Sequence, residues 1–178
     1  MILALAASAC SHGSPALSSA YPRGAAPLDG EMAAVECVPF ARALSGLQLY
    51  GNAADWWWKA DGLYDRSSTP AVGSVLVLRR SSRLAQGHVG VVTAIEGDRE
   101  IRVTQANWVH HRVFADMPVI DVSPANDWTL VRVWWPPTGQ MGATVYPAYG
   151  FILPDQPRSR DSLAVATGSA IRMAGEAY

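Results

Sequence analysis

The chain has 178 residues, a formal net charge of −1, 49% hydrophobic residues and 16% charged residues. This composition is typical of a single globular domain with enough apolar side chains to bury a sizeable core. Because the chain is nearly neutral and has no run of Lys and Arg, nothing attracts it to nucleic acid or anionic lipid, and we expect no nucleic-acid partner.

The first residues resemble the end of an export signal. Residues 1–10, MILALAASAC, are apolar and rich in small residues, although the positively charged start of a signal is missing. The segment before Cys10 resembles a relaxed lipobox, in which Cys10 would be acylated; plain export is the preferred reading. Either interpretation of residues 1–10 predicts export, to a periplasmic, outer-membrane-anchored or extracellular location. No stretch approaches the ~20 apolar residues of a membrane span, so we expect the mature domain to be soluble or merely tethered.

Three further segments follow. Residues 11–30 are rich in Ser, Pro, Gly and Ala without periodicity and are predicted to be a flexible linker. A catalytic domain is predicted over 31–153, where helical and alternating patterns occur. Residues 154–178 lose the strand pattern, and we expect a mobile C-terminal tail that holds at most a weak helix.

A helix is predicted at the start of the domain, where apolar residues recur at helical spacing. Proline is tolerated only in the first turn, so Pro39 indicates that the helix begins at Cys37 or Val38, and Gly46 offers a stop. The helix start therefore coincides with the one cysteine that lies inside the domain.

A second, short helix is predicted over 53–60, after an N-cap at Asn52. Beyond Pro70 the pattern changes to alternation, which indicates strands. The predicted strands cover 73–79, 88–95, 100–105 and 129–135. Helices first and antiparallel strands afterwards predict an α+β fold in which N-terminal helices pack on an antiparallel β-sheet.

Cys37 is the candidate nucleophile. An ordinary thiol with a pKa near ~8.5 is a poor nucleophile at neutral pH, but a helix N-terminus or a partner imidazolium lowers that pKa to roughly 3.5–7.5. In a first turn the sulfur would lie near unpaired N–H groups that can hold an oxyanion. The alternative is a structural disulfide with Cys10, but Cys10 lies in a segment that export would remove or acylate.

His88 opens a predicted strand after Gly87 and is the candidate base toward the thiol and acid toward a leaving amine. A histidine alone at this place is more often a surface or capping residue, but Cys37 before it and Asn107 after it favour catalysis. A third group must accept from the other imidazole N–H to fix the tautomer. Asn107 is preferred for this role, and Gln105, two residues earlier on the same strand face, is the alternative or a donor that lines the site.

Two further features have plainer interpretations. The histidines at 110 and 111 lack the tight spacings of zinc ligands, so we expect neither a metal nor another cofactor. The tryptophan runs at 56–58 and 134–135 can stack on sugar rings, but aromatic residues at helix and strand positions are more often core. The residues we expect to line a groove are Trp57 and Trp108.

The chain resembles the CHAP domain family of cysteine- and histidine-dependent amidohydrolases and peptidases. The resemblance covers roughly residues 35–152. Its carriers are ECVPFAR at 36–42, GSVLVLRR and LAQGHVGVV within 73–92, VTQANW at 103–108 and DVSPANDWTLVRVWWPP at 121–137. The first three blocks carry it by their order and spacing.

The resemblance implies a papain-like fold, with the nucleophile at a helix N-terminus packed on an antiparallel sheet, and hydrolysis of amide bonds in peptidoglycan peptides. It implies that Cys37 is the nucleophile, that His88 is the general base and acid, and that Asn107 is the polar residue after the histidine strand. Many members carry Glu where Gln105 stands and use it to orient the histidine, so the third role stays open between Asn107 and Gln105.

These observations together predict an exported bacterial cysteine hydrolase, amidase or endopeptidase, that acts as a monomer on peptidoglycan or its peptide fragments through a thioester, with a lipid anchor at Cys10 as an option. Two alternatives stay open. One is a non-catalytic wall-binding or scaffold protein on the same fold, which the intact Cys37 and His88 disfavour and which the missing Glu at position 105 keeps open. The other is a papain-like amidase acting on a small peptide conjugate, which an export signal disfavours.

Overall fold

The computed structural model describes residues 35–176, so the segments predicted for 1–10 and 11–30 lie outside the described residues. Within this range the chain forms three α-helices and eight strands. The helices are α1 (Cys37–Ser45), α2 (Trp56–Lys59) and α3 (Arg160–Gly175). The strands are β1 (Arg66–Ser67), β2 (Val75–Leu78), β3 (His88–Gly97), β4 (Glu100–Ala106), β5 (Val113–Asp121), β6 (Leu130–Trp135), β7 (Gln140–Met141) and β8 (Tyr146–Ile152).

All strand pairs are antiparallel, and the strand order is β1-β8-β2-β3-β4-β5-β6-β7. The sheet curls until β6 also pairs with β8. The prediction of an α+β fold with an antiparallel sheet is therefore confirmed.

Helix α1 begins and ends where the sequence indicates. Cys37 is its first residue, Pro39 lies in the first turn, where its missing N–H is harmless, and Gly46 follows the last turn with φ 85°. The amide of Gly46 donates to the carbonyl of Arg42 at 2.9 Å, which closes the helix end. Both predicted boundaries of this helix are confirmed.

Two apolar clusters lie on opposite faces of the sheet. The first joins α1, α3 and one sheet face, and the second fills the inside of the curl. Side chains of β3 alternate between them, since Val89 and Val91 belong to the first cluster and Val92 to the second. The helix that carries Cys37 is therefore anchored directly against the strand that begins at His88.

The prediction of a mobile C-terminal tail is wrong for residues 160–175, which form α3. A capping box between Ser159 and Ser162 begins this helix, and Leu163, Ala170 and Ala174 are 0–1% exposed in the cluster shared with α1. The apolar face has helical spacing but consists mostly of alanines. Its hydrophobic signal in the sequence is therefore weak.

Strands β5 and β8 were not predicted. β5 contains Pro118 and Asp116, and the backbone of Asp116 has φ 52°, so regular alternation is lost. The predicted helix at 53–60 is divided into a short 3-10 helix, Ala53–Asp55, followed by α2. None of the described helices is both long and apolar enough to cross a bilayer.

Candidate functional site

Helix α1 and strand β3 bring Cys37 next to the start of β3. The backbone N–H of Val89, the residue directly after His88, lies close enough to the sulfur of Cys37 to lower the pKa of the thiol. The N–H groups of Cys37 itself and of Val38 act on the pKa in the same direction. Cys37 is a free thiol in a residue of intermediate exposure, and its sulfur is buried well enough for burial to dominate its pKa.

The imidazole of His88 is held by Gln105. His88 is 4% exposed, and its Nε2 atom lies 3.0 Å from Oε1 of Gln105 on the neighbouring strand β4. The Nε2 of Gln105 donates to the sulfur of Met117 at 3.4 Å, which leaves Oε1 facing the ring. This hydrogen-bond network assigns the proton to Nε2 of His88, and Nδ1 is then the basic nitrogen.

Gly90 makes room for this arrangement. A Cβ atom at residue 90 would lie 3.1 Å from Oε1 of Gln105 and 3.4 Å from its Cβ. Any larger residue would therefore press on the side chain that holds His88. Sequence reasoning missed this residue, because its importance depends on which strand lies beside it.

Asn107, the preferred partner of His88, contacts other groups. Its Nδ2 donates to Oε2 of Glu36 at 2.6 Å, and its Oδ1 accepts from the backbone N–H of His111 at 2.8 Å. Strand β4 ends one residue earlier, and Asn107 has φ 59°, which turns its side chain out of the strand alternation. In the described contacts, the side chain that accepts the hydrogen bond from His88 is therefore Gln105 and not Asn107.

Glu36 is a site residue that sequence reasoning did not single out. It occupies the N-cap position of α1 without a side-chain cap, and its carboxylate binds Asn107 instead. The contact ties the start of α1 to the loop after β4. Its position directly before Cys37 was the signal that could have drawn attention to it.

The pKa shifts contradict the expected activation of the thiol. Burial raises the pKa of Cys37 to about 11; the N–H of Val89 acts in the opposite direction, and the charge of Glu36 adds to the rise. Burial lowers the pKa of His88 to about 4, and the hydrogen bond with Gln105 offsets this only in part. At neutral pH the site therefore holds a neutral thiol and a neutral imidazole.

Trp108 covers the imidazole. Its ring lies edge-on to His88, with centroids 5.1 Å apart, and its Nε1 donates to the carbonyl of Trp134 at 3.1 Å. Trp57 lies elsewhere and stacks on Tyr149 at 5.7 Å. Of the two tryptophans expected to line a groove, Trp108 contacts His88, whereas the described contacts of Trp57 do not include the histidine.

His110 and His111 stack with centroids 3.7 Å apart in the loop that follows Asn107. Among residues 35–176, no group of three or more His, Cys, Asp and Glu side chains is placed to hold a metal ion.

Comparison with known proteins gives one family. Residues 28–107 match the family model described as CHAP domain. The matched range contains Cys37, His88, Gln105 and Asn107, and the described structure begins inside it. A search of the curated proteins gave no match.

Proposed function

We propose that this chain, of which residues 28–107 match the CHAP domain family model, is a bacterial cysteine hydrolase that cleaves an amide bond of peptidoglycan through a thioester intermediate. The observation that carries the proposal is the position of the free thiol of Cys37 at the first residue of α1, close to the backbone N–H of Val89, the residue directly after His88. The fixed orientation of His88 by Gln105 supports the same proposal, and so does the packing of α1 against the sheet face that carries Val89 and Val91.

The proposed reaction begins with attack of the Cys37 sulfur on the carbonyl carbon of the scissile amide. The thiol proton passes to Nδ1 of His88, while the proton on Nε2 stays in the hydrogen bond with Gln105. The carbonyl oxygen becomes an oxyanion. The N–H groups available for it in the first turn are those of Cys37 and Val38, since Pro39 has none.

In the second half of the proposed reaction, the carbon–nitrogen bond breaks and His88 gives its proton to the leaving amine. This leaves a thioester on Cys37 and a neutral imidazole. Water then attacks the thioester carbon while Nδ1 takes its proton, and the released thiol is protonated again as the carboxylic acid leaves.

The opposite pKa shifts of Cys37 and His88 support an activation of the thiol without a preformed thiolate. A thiol with a pKa of about 11 beside an imidazole with a pKa of about 4 does not form a resting ion pair. Proton transfer therefore accompanies the attack on the substrate instead of preceding it. Gln105 is neutral and stabilises the imidazolium less than a carboxylate would.

A zymogram on purified cell walls tests the proposal. Wild type is expected to clear the wall, while Cys37→Ala and His88→Ala are expected to leave it intact; Cys10→Ala is the matched control and should clear like wild type. Mass spectrometry of the released fragments identifies the new termini, and hence whether the enzyme is an amidase or an endopeptidase. Equal clearing by Cys37→Ala and wild type would defeat the proposal.

Export and a monomeric state belong to the same proposal. The mass of the mature N-terminus tests export, because a chain cut before Cys10 and acylated there has a different mass from one cut elsewhere. Sedimentation of the mature protein tests the monomeric state.

A second candidate, a non-catalytic wall-binding protein on the same fold, is favoured by the neutral thiol and by the neutral Gln105. For such a protein, wild type and Cys37→Ala would cosediment with purified walls to the same extent and neither would release fragments. Release of fragments by wild type alone excludes it.

A further inference from the structure

A group of aromatic side chains and one arginine lies on the surface at the helix side of β8. Tyr149 stacks on Trp57 with ring planes 9° apart and meets Trp58 edge-on at 5.6 Å. The guanidinium of Arg79 lies 4.9 Å from the centroid of Tyr149. We call Trp57, Trp58, Tyr149 and Arg79 the aromatic platform.

The platform rests on a position where only glycine fits. A Cβ atom at residue 150 would lie 2.5 Å from the carbonyl oxygen of Ser67 and 3.2 Å from the indole of Trp57, and Gly150 has φ 132°. The guanidinium of Arg66 also lies over the ring of Trp57, 5.2 Å from the ring centroid, and it donates to the backbone carbonyl of Trp57 at 3.1 Å. Trp57 is thus held in place, and Tyr149 is fixed against it.

The outer part of the platform is left open. Trp58 is 61% exposed, although an indole ring is among the most apolar side chains. Arg80 and Arg66 are paired with Asp55 and Asp61, whereas no carboxylate of the described residues forms an ion pair with Arg79. The platform therefore offers an aromatic face next to a cation that has no acidic partner within residues 35–176.

The platform lies at the same end of the sheet as the candidate site. Leu78, the residue before Arg79, pairs with His88 on one side and with Ala148 on the other. Two strand spacings make the distance from β8 to β3 roughly 10 Å. The segment before α2 is also tied to the start of β3, since the N–H of Ala54 donates to the carbonyl of Gln86 at 3.0 Å.

We propose that the aromatic platform binds the N-acetylated amino-sugar strand of the substrate. The flat face of a pyranose ring carries C–H groups that stack on an exposed indole, which assigns the sugar to Trp58. Arg79 would bind a carboxylate next to the glycan. The inference rests on the proposed function, because it names the part of peptidoglycan that is held while an attached amide reaches Cys37.

Binding is measured on the full chain with Cys37→Ala, so that hydrolysis plays no part. The probe is a soluble β-1,4-linked tetramer of N-acetylglucosamine, titrated by calorimetry and by indole fluorescence. Adding Trp58→Ala is expected to weaken binding about tenfold, and Trp58→Phe should weaken it less because a ring remains. The matched control is Met173→Ala on α3, a side chain that is 59% exposed and should leave the affinity unchanged.

Arg79→Ala provides a separate arm of the test. It is expected to weaken cosedimentation with purified peptidoglycan, and to do so less at high salt, while the affinity for the uncharged tetramer stays the same. Equal loss of both affinities would overturn the role given to Arg79.

Two results would overturn the sugar assignment: a parent protein that does not bind the tetramer, or equal affinity with and without Trp58→Ala. If Trp58→Ala leaves the sugar affinity unchanged but changes the sedimentation coefficient of the protein, the platform is a contact between two copies of the chain. A wild-type protein that binds the tetramer but leaves peptidoglycan uncut would defeat the proposed hydrolase and leave the platform standing.

Discussion

The Oε1 atom of Gln105 lies 3.0 Å from Nε2 of His88, so a neutral amide occupies the place next to the imidazole. This contact selects one tautomer of His88 and leaves Nδ1 as the basic nitrogen. It adds no negative charge, which is one reason why the pKa of His88 stays as low as about 4 in its buried position. Gln105 therefore sets the orientation of the imidazole, whereas burial keeps the imidazole uncharged.

The first prediction concerns the space beside Gln105. Gly90→Ala is expected to push Gln105 away from His88, because the new Cβ would lie 3.1 Å from Oε1. Loss of the oriented base should lower kcat about tenfold or more. Gly97→Ala on the same strand is the control, since no atom lies within 4 Å of its added Cβ. Equal activity of the two variants in a wall-clearing assay would contradict the prediction.

The second prediction concerns the reactivity of the thiol without substrate. In a Cys10→Ala background, alkylation of Cys37 by iodoacetamide should be slow at neutral pH and should rise until the pKa of about 11 is passed. The rate is followed by mass spectrometry over a pH series. A rate that is already at its plateau below pH 7 would show a preformed thiolate and contradict the pKa shift.

The third prediction concerns Glu36. Glu36→Gln removes a negative charge that raises the pKa of Cys37, so the thiolate fraction and the alkylation rate at fixed pH should rise about threefold. The new amide oxygen can still accept from Asn107, which keeps the loop in place. Asn107→Ala removes the hydrogen bond but not the charge, and it should not produce the same increase. An unchanged rate in Glu36→Gln would contradict the electrostatic role.

The fourth prediction concerns stability at low pH. The pKa of His88 falls from 6.5 to about 4 on folding, so between these values the unfolded chain binds more protons than the folded chain. Stability should therefore decrease as the pH falls through this window, by on the order of 3 kcal/mol in total. Urea unfolding at several pH values measures the slope, and His88→Asn should flatten it.

The thiol of Cys37 is expected to make stability depend on pH at the alkaline end of the range. The pKa of Cys37 rises from 9.0 to about 11, so above pH 9 the unfolded chain loses a proton that the folded chain keeps. Stability should decrease as the pH rises through this window. Cys37→Ala should remove this limb, and a slope that persists in the variant would assign it to other groups.

The fifth prediction tests the packing of α3. Leu163 is 0% exposed in the cluster that α3 shares with α1, and Leu163→Ala is expected to cost about 2–5 kcal/mol in unfolding free energy. Val165 on the same helix is 83% exposed, and Val165→Ala should change stability by about 0.5 kcal/mol or less. Similar urea midpoints for both variants would mean that α3 does not contribute to the core.

Local chemistry explains what could be predicted from the sequence. Pro39 and Gly46 favour a helix start and a helix end through their own backbone preferences. The bounds of α1 could therefore be predicted without knowing which strand packs against it. The antiparallel arrangement followed from alternation within β2, β3, β4 and β6. The order of Cys37 and His88 along the chain was also sufficient to expect them near one another.

Features that depend on tertiary contacts could not be predicted from the sequence. Asn107 was preferred over Gln105 because regular alternation was assumed, and the left-handed backbone at Asn107 breaks that alternation. The pKa of Cys37 depends on burial by other elements, whereas a helix N-terminus alone predicts the opposite direction. The alanine-rich face of α3 is recognisable only once α1 is seen against it.

The position of β8 has a consequence for the order of assembly during synthesis. This strand comes last along the chain, but it lies between β1 and β2, which come first. The ribosome must therefore release residue 152 before the sheet that packs against α1 can be completed. A truncated product that ends with the family match at residue 107 lacks β8, and we expect it to be an unfolded chain and not a small enzyme.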